Sequence, residues 1–385
     1  MKWDNKGHQY DDMYKEMQKK KGFFLFGAGD YGHQFLRAFG NEINIAGFLD
    51  NDKKKQGTEI EGILCSKPGE INLGDNGIIV TMSQIARMKP VIQLEKLGYK
   101  KNRDYFIIEE FMSVYYVYKY NRVYFSSISF LPSTACNLHC RNCLNFNPFA
   151  KEFYRRNLDA LICDVDLFFG CVDHIMLFHV SGGEPFLYEH TADIISYIND
   201  KYGDRIDTLR TVTNGTIVPS DEVLEKLSKC NIEITVDDYR EAVPKYNDNF
   251  DRLIEKLNRY GIKHYINKVD SWIDLAPEKT DYSGLQEEQL IAHRDSCTQS
   301  WQELRDGKLY SCNYAAYATV AGIAGSQDVE ETYDLRSFSD DKKKELVEFR
   351  LGYTEKGYTE FCKKCLGFTD KNTDKVKPAD QIEDI

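Results

Sequence analysis

No stretch of the 385 residues is apolar for long enough to cross a membrane, and Met1–Lys21 is polar and charged, without the apolar centre of a signal peptide. Export is therefore not expected, and a cytoplasmic location is. Positive charge is in deficit: 50 Lys plus Arg stand against 61 Asp plus Glu, a net charge of −11. The lysine runs Lys19–Lys21, Lys53–Lys55 and Lys342–Lys344 are short and scattered, and read as solvated faces. Nucleic acid is accordingly not an expected partner, and neither is a membrane. Internal repeats and low-complexity tracts are absent from the sequence. The hydrophobic fraction of 42% excludes global disorder, and the length suits two or three domains.

What the chain has is cysteine, eleven in all. In a chain not expected to be exported these argue against a disulfide framework, because cytosolic thiols stay reduced. They point to metal, catalysis or burial, and spacing decides which.

The fold reads as α/β throughout. Gly22–Phe26 is a short apolar run leading into Gly27-Ala28-Gly29-Asp30-Tyr31-Gly32, a helical pattern through Phe39, and a second strand, Ile43–Leu49, ending at Asp50. This order of strand, glycine turn, helix and strand fits a Rossmann-type unit. Gly27, Gly29 and Gly32 would approach a phosphate, and Asp50 a ribose hydroxyl. Gly77–Thr81 and Tyr105–Ile108 read as strands and Ser83–Leu97 as a helix, giving a first domain over 21–115. An aromatic-rich connector, Tyr115–Tyr124, follows. Strand-like runs Ser127–Leu131, His174–Val180, Thr208–Thr213, Ile232–Val236 and His264–Lys268 then alternate with helical stretches around Asp159–Phe169, Thr191–Lys201, Asp221–Ser228 and Phe250–Tyr260. That rhythm predicts a parallel sheet with helices outside, over 124–290. Residues 291–370 are rich in Cys, Gly and Tyr and lack it, and the charged tail beyond Asp370 reads as loose.

Cys136, Cys140 and Cys143 form a C-x3-C-x2-C triplet directly after the first of these strands. Three thiolates on one short loop can hold three irons of a cubane and leave the fourth open. Zinc with His139 or a distant fourth ligand is the alternative, although zinc sites usually use C-x2-C pairs. At the end of the next strand stands Val180-Ser181-Gly182-Gly183-Glu184-Pro185; Thr213-Asn214-Gly215 and Thr235-Val236-Asp237 end the two after it. In parallel α/β folds, strand C-termini build the active site.

The triplet and the Gly-Gly-Glu turn resemble the radical S-adenosylmethionine superfamily over roughly Phe125–Val269. The resemblance implies a partial (β/α)6-type TIM barrel, a catalytic [4Fe–4S] cluster on Cys136, Cys140 and Cys143, and S-adenosylmethionine on its open iron. Gly182, Gly183, Glu184, Thr213, Asn214, Thr235 and Asp237 would contact that cofactor. Family members usually carry an aromatic residue before the third cysteine; here it is Asn142, with Phe146 a candidate replacement.

Cys297, Cys312, Cys362 and Cys365, with a hairpin turn at Gly307–Tyr310, resemble the family's small "twitch" domain, related to the longer SPASM type, over 291–370. They imply a second, fully ligated [4Fe–4S] cluster; a four-cysteine zinc site is the alternative. Cys65, Cys163, Cys171 and Cys230 remain and read as small buried hydrophobes. The stretch Ala46–Asp52 resembles a Rossmann-like domain fused to sugar-modifying enzymes, which adds a nucleotide or nucleotide-sugar ligand.

The expected activity is oxidoreductase chemistry. S-adenosylmethionine is cleaved reductively, a hydrogen atom is taken from a sugar-like small molecule, and a carbinol is oxidised with the second cluster accepting an electron. A low-potential donor such as flavodoxin or ferredoxin would supply the cleaving electron. Tyr239, Arg210 and His179 stand near strand ends, and none is singled out as the base. The alternatives are radical modification of a ribosomal peptide, sugar epimerisation, and a nucleotide-binding iron–sulfur regulatory protein without catalysis.

Overall fold

The computed structural model describes residues 1–83, 86–298, 301–325 and 331–382. The chain divides into two compact units, Asn5–Arg122, and Met1–Asp4 together with Val123–Ile385.

The smaller unit opens with helix α1 (Asp11–Gln18), followed by β1 (Phe23–Phe26), α2 (Asp30–Phe39), β2 (Ile45–Leu49), β3 (Glu59–Ile60), β4 (Ile63–Ser66), β5 (Gly77–Val80), α3 (Met88–Lys96), β6 (Tyr105–Ile107) and α4 (Ile108–Tyr120). Its sheet runs β3-β4-β2-β1-β5-β6, parallel except for β3. Chain order reverses around β1, so the glycine turn that leaves β1 lies at the switch point of the sheet. Phe26, Leu49, Ile78 and Val80 are wholly buried on these strands. The predicted helix Ser83–Leu97 is seen from Met88; residues 84 and 85 lie outside the described residues. The stretch read as an aromatic connector is largely the second half of α4. Its residues are apolar on nearly every side, which hides the helical period. Phe111 is buried and stacks on Tyr115 at 5.7 Å. Asn121, in the left-handed region at φ 53°, ends the helix.

The larger unit contains β7 (Tyr124–Phe130), α5 (Leu158–Cys171), β8 (His174–Val180), α6 (Thr191–Tyr202), β9 (Ile206–Thr213), α7 (Asp221–Leu227), β10 (Ile232–Asp237), α8 (Asn247–Arg259) and β11 (Lys263–Asn267). These five strands are parallel and adjacent in chain order, the half-barrel winding expected from the alternation. Phe168 of α5 packs edge-on against Phe125 and Phe178, which closes the helix layer onto the sheet. Asn157 caps α5 by accepting the Ala160 N–H at 2.8 Å.

After β12 (Trp272–Ile273) and α9 (Glu287–Ser296) the chain returns to the other edge of the sheet. There β13 (Glu303–Arg305) pairs in parallel with β7, then turns into β14 (Lys308–Tyr310). Asp306 and Gly307 both have positive φ, 54° and 73°, as a two-residue hairpin turn of this hand requires. Asp164 of α5 anchors the turn, accepting the Asp306 and Gly307 amides at 2.7 and 2.6 Å and buried Arg156 at 2.5 Å. Helix α10 (Asn313–Val320), β15 (Thr332–Asp334) on β14, α11 (Lys343–Arg350) and β16 (Lys375–Val376) complete the unit. The sheet is thus open, ordered β11-β10-β9-β8-β7-β13-β14-β15, and does not close into a ring among the described residues.

The tail beyond Asp370 is not loose as far as Ile382. β16 pairs antiparallel with β12, and Cys140 and Gln381 form a further bridge. Its charges face outward while its backbone makes the pairing, which charge patterning alone does not show. Residues 1–4 join the same unit through a Lys2–Thr354 bridge and the Trp3 indole N–H to Glu348, 2.9 Å.

Candidate active site

The loop leaving β7 carries Cys136, Cys140 and Cys143, and all three pack in one apolar group with Leu138, Tyr239, Val243, Trp272 and Ala379. Burial pushes Cys136 and Cys140 each up to about 12 and raises Cys143 as well. Ligation here must therefore release protons. Each sulfur already faces N–H donors: the Leu138 backbone and Asn214 at Cys136, Gln381 at Cys140, and the backbone of 145–147 at Cys143. Buried sulfurs ringed by amides fit an iron–sulfur cluster, whose sulfurs take such bonds. Among the described residues, no three His, Cys, Asp or Glu are gathered for a single metal ion. A cubane takes its cysteines on separate irons and needs them farther apart than a zinc ion with Zn–S bonds of about 2.3 Å.

The Gly-Gly-Glu turn that leaves β8 lies directly on this loop. A Cβ at Gly183 would sit 2.3 Å from the Ala135 carbonyl, and one at Gly182 would sit 2.6 Å from that of Ser133. Gly183 and Glu184 donate their amides to Ser133 and Ala135 at 3.1 and 2.7 Å. Both glycines thus serve close approach of backbone to backbone. Glu184, 1% exposed, accepts the Thr213 hydroxyl at 2.8 and 2.9 Å, the Asn214 amide at 2.8 Å and the Phe186 amide at 3.1 Å. Burial pushes its carboxyl up to about 7 against these donors. It ties the ends of β8 and β9 together.

Asn214 reaches the Cys136 sulfur at 3.7 Å and Asn137 at 3.3 Å. Thr216, which sequence reasoning missed, closes this net: its hydroxyl reaches the side-chain oxygens of Asn214 and Asn137 at 2.6 and 3.2 Å and takes the Asn137 amide at 2.8 Å. Its one visible signal was its place two residues past Asn214. At the end of β10, Asp237 accepts the Tyr239 hydroxyl and the Asn267 amide, both at 2.7 Å, and burial raises it. Thr235, half-buried, shares that face of β10. The structure therefore brings Cys136, Cys140, Cys143, Gly182, Gly183, Glu184, Thr213, Asn214, Thr235 and Asp237 to the C-terminal ends of β7–β10.

Of the three residues considered as bases, Tyr239 is tied to Asp237 and Arg210 pairs with Glu233 at 2.6 Å. Among the described residues His179 Nδ1 has no partner, and burial pushes its pKa down to about 4. Phe146 is 3% exposed and packs edge-on against Phe361, so its ring is committed to the core.

Cys297, Cys312, Cys362 and Cys365 interact electrostatically with one another, a second gathering in the same unit. The Phe368 and Gly367 amides point at Cys297 and Cys365, each at 3.3 Å. Burial pushes Cys312 up to about 11 and raises Cys365 well above its ordinary value. Arg294 of α9 lies beside them and donates to the Ser311 carbonyl, next to Cys312, at 3.3 Å; burial lowers its pKa, but Cys297, Cys312, Cys362 and Asp295 together outweigh that. From this site α10 runs back to the first: the Tyr317 hydroxyl bonds Ser129 and Ser181 at 2.6 and 3.0 Å, and Ser181 precedes the glycine turn. Cys65 and Cys171 are buried as expected and Cys230 is half-buried, but Cys163 is exposed, on the outer face of α5. None of the four lies among the strand-end residues.

In the smaller unit Gly27 has φ 121°, and a Cβ on Gly32 would meet the Gly27 carbonyl at 2.2 Å, so α2 starts tight against β1. Gly29 has open space around it. Asp50 does reach this turn, but its carboxylate accepts the Ala28 amide and Lys55 at 3.1 Å each and the Asp52 amide at 2.9 Å. Burial would raise its pKa; these donors outweigh burial and hold it low.

The family model of the radical SAM superfamily matches residues 130–271. A comparison with curated proteins finds no match. Among solved structures, Streptococcus suis SuiB bound to S-adenosylmethionine shares 18% identity over 47% of this chain and 38% of its own, at a TM-score of 0.31. The anSMEcpe structure with bound AdoMet and Cp18Cys peptide shares 14% over 56% and 80%, at 0.37. BtrN in complex with AdoMet and 2-DOIA shares 16% over 66% and 98%, at 0.40. The chain thus spans less than half of SuiB.

Proposed function

Residues 130–271 of this chain are a radical SAM domain, and from that premise we propose an enzyme that oxidises a carbinol of a sugar-like or nucleotide-linked substrate. When bound, the open cluster supplies one-electron reductive cleavage of S-adenosylmethionine. Cys136, Cys140 and Cys143 would hold that cluster. The strand-end set around Glu184, Thr213, Asn214 and Asp237 would position the cofactor, chiefly by fixing the loops that carry it. The observation that supports the oxidative reading is the second cysteine group with Arg294 beside it, joined to the first site by Tyr317. Cys297, Cys312, Cys362 and Cys365 would hold a second centre, which would supply a place for the electron left once a carbinol has given up a hydrogen atom to the cofactor and its hydroxyl proton to a base. That leaves a ketone, with S-adenosylmethionine consumed as methionine and 5′-deoxyadenosine. A low-potential ferredoxin or flavodoxin is the assigned donor.

The smaller unit is assigned a nucleotide or nucleotide-sugar at the Gly27–Gly32 turn. Asp50 would have to exchange Lys55 for ribose hydroxyls to take it.

Anaerobic reconstitution with iron and sulfide, then dithionite and S-adenosylmethionine, tests the reading. About eight irons per chain and 5′-deoxyadenosine are expected. Deuterated nucleotide-sugars should then pass label into 5′-deoxyadenosine. Label from peptides instead would replace the substrate class, and absence of 5′-deoxyadenosine would overturn the enzyme reading.

A further inference from the structure

The segment 379–382 lies against the cysteine loop from far along the chain. β16 pairing with β12 sets its register, Val376 opposite Trp272, and the Trp272 ring meets Tyr239 edge-on at 5.7 Å. The chain then turns at Ala379, fully buried with φ 53°, beside Leu138 and Cys140. Three backbone groups of the loop are taken in succession. The Arg141 N–H goes to the Asp380 carbonyl at 2.7 Å, the Ile382 N–H to the His139 carbonyl at 2.8 Å, and the His139 N–H to Gln381 Oε1 at 2.9 Å. The other end of the Gln381 amide donates to Ala379 O at 2.7 Å and to Cys140 Sγ at 3.3 Å. Both ends of the amide are matched; turning it over would set an NH2 against the His139 N–H and an oxygen against a carbonyl and a sulfur.

We propose that Gln381 is a positioning residue of the catalytic cluster, holding the Cys140 arm of the loop and setting the reduction potential of the cluster through its N–H to the Cys140 sulfur. The inference rests on the radical SAM reading of that loop. Cys136 has a side-chain donor in Asn214 and Cys143 has the amides of 145–147; at Cys140 the side-chain donor is Gln381. An N–H aimed at a cluster thiolate favours the more negative, reduced state and raises the potential. The cluster whose electron cleaves the cofactor is thereby tuned by a residue outside the matched domain.

The test uses the reconstituted full chain and follows the midpoint of the paramagnetic cluster signal that changes when S-adenosylmethionine is added. Gln381→Glu keeps an oxygen for the His139 amide but offers no N–H to the sulfur. It should lower the midpoint by about a tenfold change in the one-electron equilibrium, about 59 mV. Gln381→Met, neutral and without either bond, should fall between wild type and Gln381→Glu. It should also release the iron of that cluster to a chelator severalfold faster, with the irons of the other centre unaffected. If Gln381→Glu fails to load, Gln381→Met decides. A midpoint and an iron-release rate equal to wild type in the loaded variants overturn the proposal. A wild-type protein with no signal responsive to S-adenosylmethionine overturns the family reading of the site instead, and is recognisable as such before any variant is made.

Discussion

Cys136, Cys140 and Cys143 come from one short loop after a sheet strand, whereas Cys297, Cys312, Cys362 and Cys365 come from the end of α9, the start of α10 and a later turn. The first group meets amide donors and the Glu184 carboxyl; the second has a cation beside it, Arg294, whose guanidinium donates to the carbonyl of Ser311 next to Cys312. Three ligands without a neighbouring cation of this kind suit a cluster that keeps one position for a small molecule. Four ligands beside an arginine suit a centre that stores an electron, because the cation offsets the added negative charge. On the proposed reading, ligand count and the charge of the neighbours would set the same side chain, thiol, to two tasks.

The sharpest way to break this comparison is to remove one ligand from each site. Cys140→Ala should lose about four irons per chain and all 5′-deoxyadenosine, while Cys312→Ala should lose the other four and keep S-adenosylmethionine cleavage without substrate oxidation. Iron counting and chromatography on the two proteins check both. Loss of all eight irons from either variant would mean that the two groups do not act as separate sites. Next in size is Arg294. Arg294→Leu should lower the potential of the four-cysteine centre and leave that of the three-cysteine centre in place, with Arg294→Lys restoring most of the difference; redox titration of the two signals checks it. A shift in both would show that the cation does not belong to one centre.

The contrast between the sites also explains how much was legible beforehand. The triplet, the Gly-Gly-Glu turn and the strand ends were readable because each is contiguous in sequence and follows a short strand-like run. The helices between β7 and β11 were readable for the same reason, each with one apolar face. Arg294 was not, since an arginine near a cysteine in sequence says nothing about three cysteines brought from elsewhere. Gln381 and Thr216 were hidden likewise: one is a polar residue in a charged tail, and the other a threonine whose hydroxyl matters only once Asn137 is brought to it. Helix α4 escaped because a helix apolar on all sides shows no period. Asp50 was placed at the right turn, but its partner Lys55 could not be inferred from spacing.

A smaller effect concerns protons. Glu184, pushed up to about 7 by burial with Asp237 adding to the rise, holds its proton more tightly in the folded metal-free protein than its ordinary value of 4.5 allows in the unfolded chain. Its contribution to stability is therefore present below pH 4.5 and lost as pH rises through about 7. Glu184→Gln cannot titrate, so its stability should lack this decline. Glu303, also pushed up to about 7, is common to both proteins and cancels in the difference. Urea unfolding of the metal-free pair across this window checks it, and parallel curves would place the titration elsewhere.

The smallest expected effect sharpens the comparison on the three-cysteine side. Thr216 is 2% exposed, and its hydroxyl serves Asn137 and Asn214 together. Thr216→Val keeps the shape and removes the hydroxyl, leaving the Asn137 amide without its acceptor, at a cost of about 1 kcal/mol in the metal-free protein. The consequence for function should exceed that figure in one place only. Asn137 follows Cys136 directly, and Asn214 faces the Cys136 sulfur at 3.7 Å, so loosening the net should speed iron loss from the three-cysteine site. The four-cysteine site shares no partner with Thr216 and should lose iron at the wild-type rate. Chelator-driven iron release resolved by site decides it: a uniform increase would mean that Thr216 supports the fold as a whole, whereas an increase confined to the first site would mark the net as part of the cluster's housing.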